Sequence, residues 1–443
     1  MAHPLTLLRA AKGLSHPEYA RLVAQTHVDL GFGQMAARRE KVSRWESGRT
    51  VPEQTAQLAM AHLHGVPARE VRRLGWPFWL HLAISDTTLR EQPYTVEGAE
   101  LVLGSSLHLA RAPRSPELLV RGTALTAQLR SALTQIAAGG GRSTGRGGTP
   151  SRAEQLAWIE ARTEALEQHE AGTLVPAACL YRTAHAEHRL VIRLLGSRDR
   201  EGPATGPLFH LAARTALLGS WLSGALGEET KAERHGLTAL RAAAAVADPA
   251  LASAAMIQIA LRHLSLGSPA DVLALGQAVR AAEPRPEQDT GTVLHCVEAL
   301  ALARLGNPTG AARALDRAAA GAATGSRMGA AAIERHLTVV RARAALLLGD
   351  PRGAKPHFVA FTDSLSAPRA AAPSPQTAAW LLSAVEAHLA LGELDRAARA
   401  VHLAADIAGT LPPGLALQYR ARLARHEREP VVREALERLE DLP

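Results

Sequence analysis

The dipeptide Leu-Gly recurs at a nearly constant spacing through the C-terminal half of the chain. Five of its copies are 40, 39, 43 and 43 residues apart and stand at Leu226-Gly227, Leu266-Gly267, Leu305-Gly306, Leu348-Gly349 and Leu391-Gly392. An apolar segment with helical periodicity precedes each glycine, and another follows it. Because glycine readily ends a helix, the pattern predicts a series of helical hairpins that stack on one another to bury their apolar faces.

Small or β-branched residues stand at fixed distances from these glycines. Seven residues before each glycine are Ser220, Ala260, Ala299, Ala342 and Val385, and five residues after it are Ala232, Val272, Ala311, Ala354 and Ala397. Short side chains at these positions let the two helices of a hairpin approach closely. The alternative is an alanine-rich helical domain in which the spacing is accidental.

The turn and second helix of these units resemble tetratricopeptide repeats. The segments "LARLGNPTGAARALDRA" and "LALGELDRAARAVHLAA" carry the resemblance, which covers residues 200–430. The units are longer than the usual repeat of about 34 residues and lack its aromatic positions. The resemblance implies an α-solenoid.

Composition favours helices throughout, and length requires more than one domain. Aromatic residues make up only 3% of the 443 residues, which suits close helix contacts better than pleated sheets and predicts an all-α fold. The stretch "GGGRSTGRGGT" has no apolar residue and predicts a flexible linker. We therefore expect a helical bundle over residues 1–75, a connecting segment over 76–138, a linker over 139–150 and the solenoid over 151–443.

The N-terminal part reads as a bundle of four helices. "PLTLLRAAKG" ends at Gly13, and "SHPE" is a capping box that starts a second helix at about His16. The third helix is predicted to carry "QMAARREKVSRWESG" from Gln34 to Gly48. The fourth is predicted just after Val51, with Pro52 in its first turn, and to end near Gly65.

Residues 1–75 hold 11 Lys and Arg against 6 Asp and Glu, so the basic excess favours a polyanionic partner. On a helix over residues 38–47, Val42 and Trp45 point inward with Arg38, and the opposite face is polar. Such a face can read base edges in a major groove, with Arg49 and Thr50 at phosphate after the turn at Gly48. The candidate DNA-binding residues are Arg38, Arg39, Glu40, Lys41, Ser43, Arg44, Ser47, Arg49 and Thr50.

The segments "LRAAKGLS", "VSRWESGRTVP" and "AQLAMAHLHGV" resemble the lambda-repressor-like, XRE-type helix-turn-helix family. The resemblance implies a regulator that binds double-stranded DNA, with Arg9 of the first helix pairing with Glu46, which would then be structural. The chain has more residues before Val42 than the family allows, including "DLGFGQMAARR". Gln34 or Met35 is therefore an alternative leading residue of the helix in the groove.

The combination resembles actinobacterial regulators that join such a domain to a tetratricopeptide-like region. We expect a homodimer, formed through the repeats or the Trp76/Trp79 segment, and a peptide, small-molecule or protein effector in the repeat groove. His263 and His388, each three residues before its leucine, are candidates to meet that effector, and packing between helices is the alternative for both. The rival function is a protein-interaction scaffold without a DNA operator.

Other features point away from further chemistry. Cys179 and Cys296 are expected to be buried thiols, and His185 and His188 surface histidines. No motif indicates a metal, a cofactor or a catalytic centre, so we expect no enzyme. The chain shows neither a signal-peptide core nor an apolar run of about 18 residues, which predicts a cytoplasmic protein without membrane contact.

Overall fold

The computed structural model describes residues 3–66, 68–107, 118–139, 150–170, 175–196, 205–286, 288–322, 330–366, 374–408 and 411–440. Within these residues all regular secondary structure is helical, so the predicted all-α class is confirmed. The chain divides into two compact units. The first comprises Met1–Pro93 and Glu97–Leu119, and the second comprises Tyr94–Val96 and Val120–Pro443.

The helices of the first unit are α1 (Pro4–Ala11), α2 (His16–Asp29), α3 (Arg39–Glu46), α4 (Gln54–Leu63), α5 (Ala68–Leu74), α6 (Leu80–Glu91) and α7 (Val96–Ser106). Those of the second unit are α8 (Gly122–Ala137), α9 (Pro150–Glu167), α10 (Ala177–Gly196), α11 (Thr205–Ala225), α12 (Glu229–Ala245), α13 (Pro249–Leu266), α14 (Pro269–Ala282), α15 (Gln288–Arg304), α16 (Pro308–Ala322), α17 (Ala330–Leu347), α18 (Pro351–Ser366), α19 (Thr377–Ala390), α20 (Leu394–Ala408), α21 (Pro413–Leu423) and α22 (Pro430–Glu440).

The core of the first unit gathers one apolar face from each of its N-terminal helices. Leu5 and Leu8 of α1, Val23 of α2, Val42 of α3 and Met60 of α4 are all fully buried together. Local signals set the helix ends. Gly13 has a left-handed φ of 65° after α1, and the Glu18 carboxylate accepts hydrogen bonds from both the backbone N–H and the hydroxyl of Ser15.

The fourth helix begins later than predicted. It starts at Gln54 with Glu53 as its N-cap, so Pro52 precedes the helix and does not lie in its first turn. The Pro52 carbonyl accepts a buried hydrogen bond of 2.8 Å from Gln57 Nε2 in the first turns of α4.

The third helix also begins later, at Arg39 and not at Gln34, so the prediction that Gln34 or Met35 leads it is wrong. The preceding residues form a loop because Gly31 and Gly33 have positive φ values of 75° and 84°. His27 Nδ1 donates to the Gly33 carbonyl at 2.8 Å, and Met35 packs against the core. The additional residues therefore lengthen the turn between α2 and α3.

In the second unit each Leu-Gly pair joins two helices that pack on each other. The pairs are α11 with α12, α13 with α14, α15 with α16, α17 with α18, and α19 with α20. Successive first helices of the pairs, from α11 to α19, also contact one another. All ten of the small or β-branched residues at the fixed positions are buried, as close approach of the helices requires.

The five glycines fulfil two different physical requirements. Gly227, Gly306, Gly349 and Gly392 have φ values between 69° and 79°, the left-handed conformation that ends a helix at low cost only for glycine. Gly267 has an extended backbone with φ −108°. A Cβ at Gly267 would lie 2.6 Å from His263 Nδ1, so this glycine is required for space.

The second unit begins before the predicted linker. Helix α8 buries Leu125 and Leu129 and packs against α12 and α14. The Val120 N–H donates to Glu233 Oε1 at 3.1 Å, and the Gly122 N–H donates to Asp271 Oδ1 at 3.1 Å. The predicted connecting segment 76–138 is thus divided between the two units, and residues 140–149 of the predicted linker lie outside the described residues.

Candidate functional site

Helix α3 has one buried and one exposed face. Val42 and Trp45 are buried, with exposed fractions of 0% and 6%, and they fix the helix against the core of the first unit. The exposed residues of the helix and its ends are Arg38, Arg39, Glu40, Ser43, Arg44 and Ser47, whereas Lys41 is half-buried. Arg38 was predicted to face inward, but as the N-cap residue it precedes the first helical turn and stays in solvent.

The segment after α3 turns back towards the same exposed face. Gly48 has a φ of 69°, and the N–H groups of Arg49 and Thr50 donate to the Arg44 carbonyl at 3.0 and 3.4 Å. The Ser47 hydroxyl donates to that carbonyl at 3.1 Å. This hydrogen-bonded turn holds Arg49 beside the helix.

Six side chains form an open pocket of about 420 Å³ on this surface. They are His16, Arg39, Glu40, Ser43, Arg44 and Arg49. Three arginines and a single carboxylate line the pocket, so its net charge is positive and it suits an anionic or hydrogen-bond-accepting ligand. Of the other candidates, Arg38, Lys41, Ser47 and Thr50 do not line it.

His16 was missed as a site residue because sequence reasoning treated it only as the start of α2. Its ring is 38% exposed, and Nε2 lies 2.9 Å from Glu46 Oε2. The capping box at Ser15 fixes the first turn of α2 and with it the position of this ring. The sequence signal that could have identified His16 is the capping box, because it places His16 at the N-terminal end of α2.

Glu46 is the last residue of α3, where its carboxylate is held by Arg9 and His16. Arg9 Nε donates to Glu46 Oε1 at 2.7 Å, Arg9 Nη2 donates to Oε2 at 3.3 Å, and Arg9 Nη1 donates to the Leu14 carbonyl at 2.7 Å. Burial opposes ionisation of Glu46, but hydrogen bonds from Arg9 and His16 hold its pKa below the usual range. The carboxylate is therefore ionised at neutral pH and links α1, α2 and α3.

Glu40 and Arg39 occupy the outer rim of the pocket and contact each other. Arg39 Nε donates to Glu40 Oε1 at 3.0 Å, with 73% and 59% of the two side chains exposed. The backbone N–H of Glu40 and the Arg39 guanidinium lower the pKa of Glu40. An exposed pair of this kind contributes little stability. Replacing the Arg39–Glu40 contact by contacts with a ligand therefore costs little free energy.

The two histidines proposed for an effector groove are buried in the second unit. His263 Nδ1 lies 3.4 Å from Asp271 Oδ2, and His388 Nδ1 lies 3.0 Å from Glu393 Oε2. Burial lowers the pKa of both rings. Each carboxylate belongs to the turn or helix after the ring's own Leu-Gly pair, so burial favours packing within the hairpin over ligand contact.

The remaining histidine and cysteine predictions need correction. His188 is buried and hydrogen-bonded through Nδ1 to Thr215 Oγ1 at 2.8 Å, so it is no surface histidine, because α10 packs this face on α11. Cys179 is half-exposed beside Arg182 in the first turn of α10. Cys296 is buried as predicted, and burial raises the pKa of its thiol to about 12.

No helix among the residues described above combines the length and the apolar character needed to cross a bilayer. Comparison of the chain with protein-family models, curated proteins and solved structures finds no match. The residues of the chain itself are therefore the basis for any functional assignment.

Proposed function

We propose that this protein is a DNA-binding transcriptional regulator and that the exposed face of α3 enters the major groove of double-stranded DNA. The pocket of Arg39, Arg44 and Arg49 beside Glu40 is the observation that carries the proposal. A rigidly packed helix with long donors on its outer face meets the two requirements of direct base readout, which are fixed geometry and side chains that reach base edges.

Each side chain has a chemical role in this proposal. Arg39 and Arg44 donate to O6 and N7 of guanine, and Glu40 accepts from N4 of cytosine. Arg49 and His16 line the pocket from outside α3 and contact backbone phosphates, which fix the register of the protein on DNA. Glu46 is already bonded to Arg9 and His16, so it serves the structure of the domain and not readout.

We further propose that α2 and α3 act as a helix-turn-helix and that the five helix pairs form an α-solenoid which adjusts DNA occupancy. The buried small residues and the contacts between successive helix pairs support the solenoid. The contacts of Glu233 with Val120 and of Asp271 with Gly122 give the chain fixed points at its entry to the repeats. Two-fold symmetric dimers double the DNA site, so the working species is proposed to be a homodimer.

Selection of duplex DNA from a random pool by the full-length protein tests the assignment. We expect one enriched motif, and Arg44→Ala should weaken binding to it by about 10- to 100-fold, equivalent to roughly 1–3 kcal/mol. Arg72→Ala is the matched control, since Arg72 is exposed on α5 and its loss changes the net charge equally. Failure of the protein to prefer any sequence over random DNA would favour the scaffold function.

A further inference from the structure

Arg343 of α17 is a half-buried cation with unusual neighbours. Its guanidinium makes neither a hydrogen bond nor an ion pair with any residue that the structure describes. The carboxylates whose charges act on it are Glu229 and Glu386. Both have other partners, because Arg262 Nη1 lies 2.9 Å from Glu229 Oε2 and Arg422 Nε lies 2.5 Å from Glu386 Oε1.

These charged groups come from helix pairs that are far apart in sequence. Glu229 and Arg262 belong to the start of the series, on α12 and α13, and Glu386 belongs to α19 near its end. The backbone explains how they meet. A Cβ at Gly227 would lie 3.3 Å from the Leu415 backbone nitrogen, so the first Leu-Gly turn rests directly against the start of α21.

A second glycine makes room for the charged cluster. A Cβ at Gly224 would lie 1.8 Å from Arg262 Nη1, so the Arg262 guanidinium packs directly against the α11 backbone at this glycine. Arg262 is only 5% exposed. Close packing and the ion pair with Glu229 therefore hold its guanidinium in place.

The cluster carries an uncompensated positive charge. Arg262 and Arg422 already pair with Glu229 and Glu386, so the Arg343 guanidinium has no carboxylate of its own among the described residues. Burial and the neighbouring charge of Arg262 lower the pKa of Arg343, opposing its charged form. Keeping an unpaired cation in such surroundings costs stability, and a bound anion would offset that cost.

An aromatic wall adjoins Arg343 on the same helix. His336 lies seven residues earlier, which is two turns and about 10 Å along the same face of α17. Its ring centroid is 5.5 Å from that of Trp380, and its Nε2 is buried without a hydrogen-bond partner among the described residues. Burial and the charge of Arg343 lower the pKa of His336 to about 4, so the ring is neutral at pH 7.

We propose that this cluster binds a small aromatic carboxylate, whose carboxylate pairs with Arg343 and whose ring lies against Trp380 and His336. A planar guanidinium fork matches a carboxylate in two parallel hydrogen bonds, and the excess of one positive charge matches a monoanion. The site supplies a ligand for the sensing role in the proposed function. Only its effect on regulation rests on that proposal, because ligand binding is measured without DNA.

Calorimetric titration and thermal unfolding of the full-length protein with phenylacetate test the site, and the neutral isostere phenylacetamide is the matched probe. We expect phenylacetate to bind and to raise the Tm of the wild type, with phenylacetamide at least about tenfold weaker. Arg343→Met should lose the preference for the anion and, without ligand, should unfold at the same or a higher temperature. Arg352→Met, on the exposed side of α18, should behave as the wild type.

Absence of phenylacetate binding, equal binding of the two probes, or an unchanged preference in Arg343→Met would overturn the proposal. A lower Tm of unliganded Arg343→Met than of Arg352→Met would also contradict it, because the guanidinium would then be a structural partner. Arg343→Lys, which retains the charge without the fork, is the second test variant and should bind phenylacetate more weakly than the wild type. Arg44→Ala should bind phenylacetate normally, so failure of DNA recognition is distinguishable from failure of this site.

Discussion

Arg9 and Glu46, 37 residues apart in sequence, join α1 to α3 through two hydrogen bonds between the guanidinium and both carboxylate oxygens. Only 14% of the Arg9 side chain and 9% of the Glu46 side chain are exposed. Such a pair is largely shielded from solvent, so either partner left alone would be a poorly solvated charge. The orientation of α3, and with it the proposed DNA-binding surface, depends on this contact.

Replacement of Arg9 by alanine should destabilise the first unit by about 3 kcal/mol, because Glu46 keeps only the His16 contact. Hydrogen exchange at the amides of α1 and α3 measures this effect without requiring the whole chain to unfold in one step. Arg21→Ala, which removes an exposed arginine from α2, is the control and should change protection little. Equal protection in the two variants would show that the pair contributes no stability.

Stability of the first unit should depend on Glu46 at acid pH. The folded-state pKa of Glu46 lies below the ordinary value of 4.5, so its contribution is fully present above that pH and is lost as pH falls through the folded pKa. Glu46→Gln should therefore be less stable than the wild type at pH 7 and show a smaller loss of stability below pH 4.5. Hydrogen exchange of the α3 amides is measured from pH 2.5 to 7 in the wild type and in Glu46→Gln. Parallel dependence of protection on pH in the two proteins would show that ionisation of Glu46 is not linked to stability.

Arg44 and Arg49 should affect DNA binding in different ways. Arg44→Ala should relax the preference at one base position, whereas Arg49→Ala should weaken binding evenly across sequences and lower the salt slope by about 1. Affinities for the selected site and its single-base variants at several salt concentrations distinguish these outcomes. If Arg49→Ala instead loses affinity only for particular DNA sequences, Arg49 contacts a base edge and not a phosphate.

Asp271 should stabilise the entry to the repeat series. Asp271→Asn weakens the acceptor for the Gly122 N–H and the charge beside buried His263, so we expect a loss of about 1–2 kcal/mol. Faster hydrogen exchange at residues 122–126 would report the loosened contact. Asp316→Asn changes an exposed carboxylate on α16 and should leave that exchange unchanged.

The sequence by itself determined the features that depend on neighbouring residues. The Leu-Gly spacing located five helix pairs, because glycine ends a helix locally and the small residues around it must be buried wherever two helices meet. The capping box fixed the start of α2, and a 3.6-residue period placed Val42 and Trp45 on the buried side of α3. These are all consequences of backbone geometry within about one or two turns.

Tertiary structure alone decided where distant segments meet. Helix α3 starts at Arg39 although residues 34–38 have adequate helix propensity, and Met35 of that loop packs on the core. His263 is buried where α13 packs on α14, which brings Asp271 to 3.4 Å from its ring. Arg343 has its charged neighbours because the first turn of the series meets α21, and such convergence depends on the accumulated rotation of many packed helices, which no local pattern encodes.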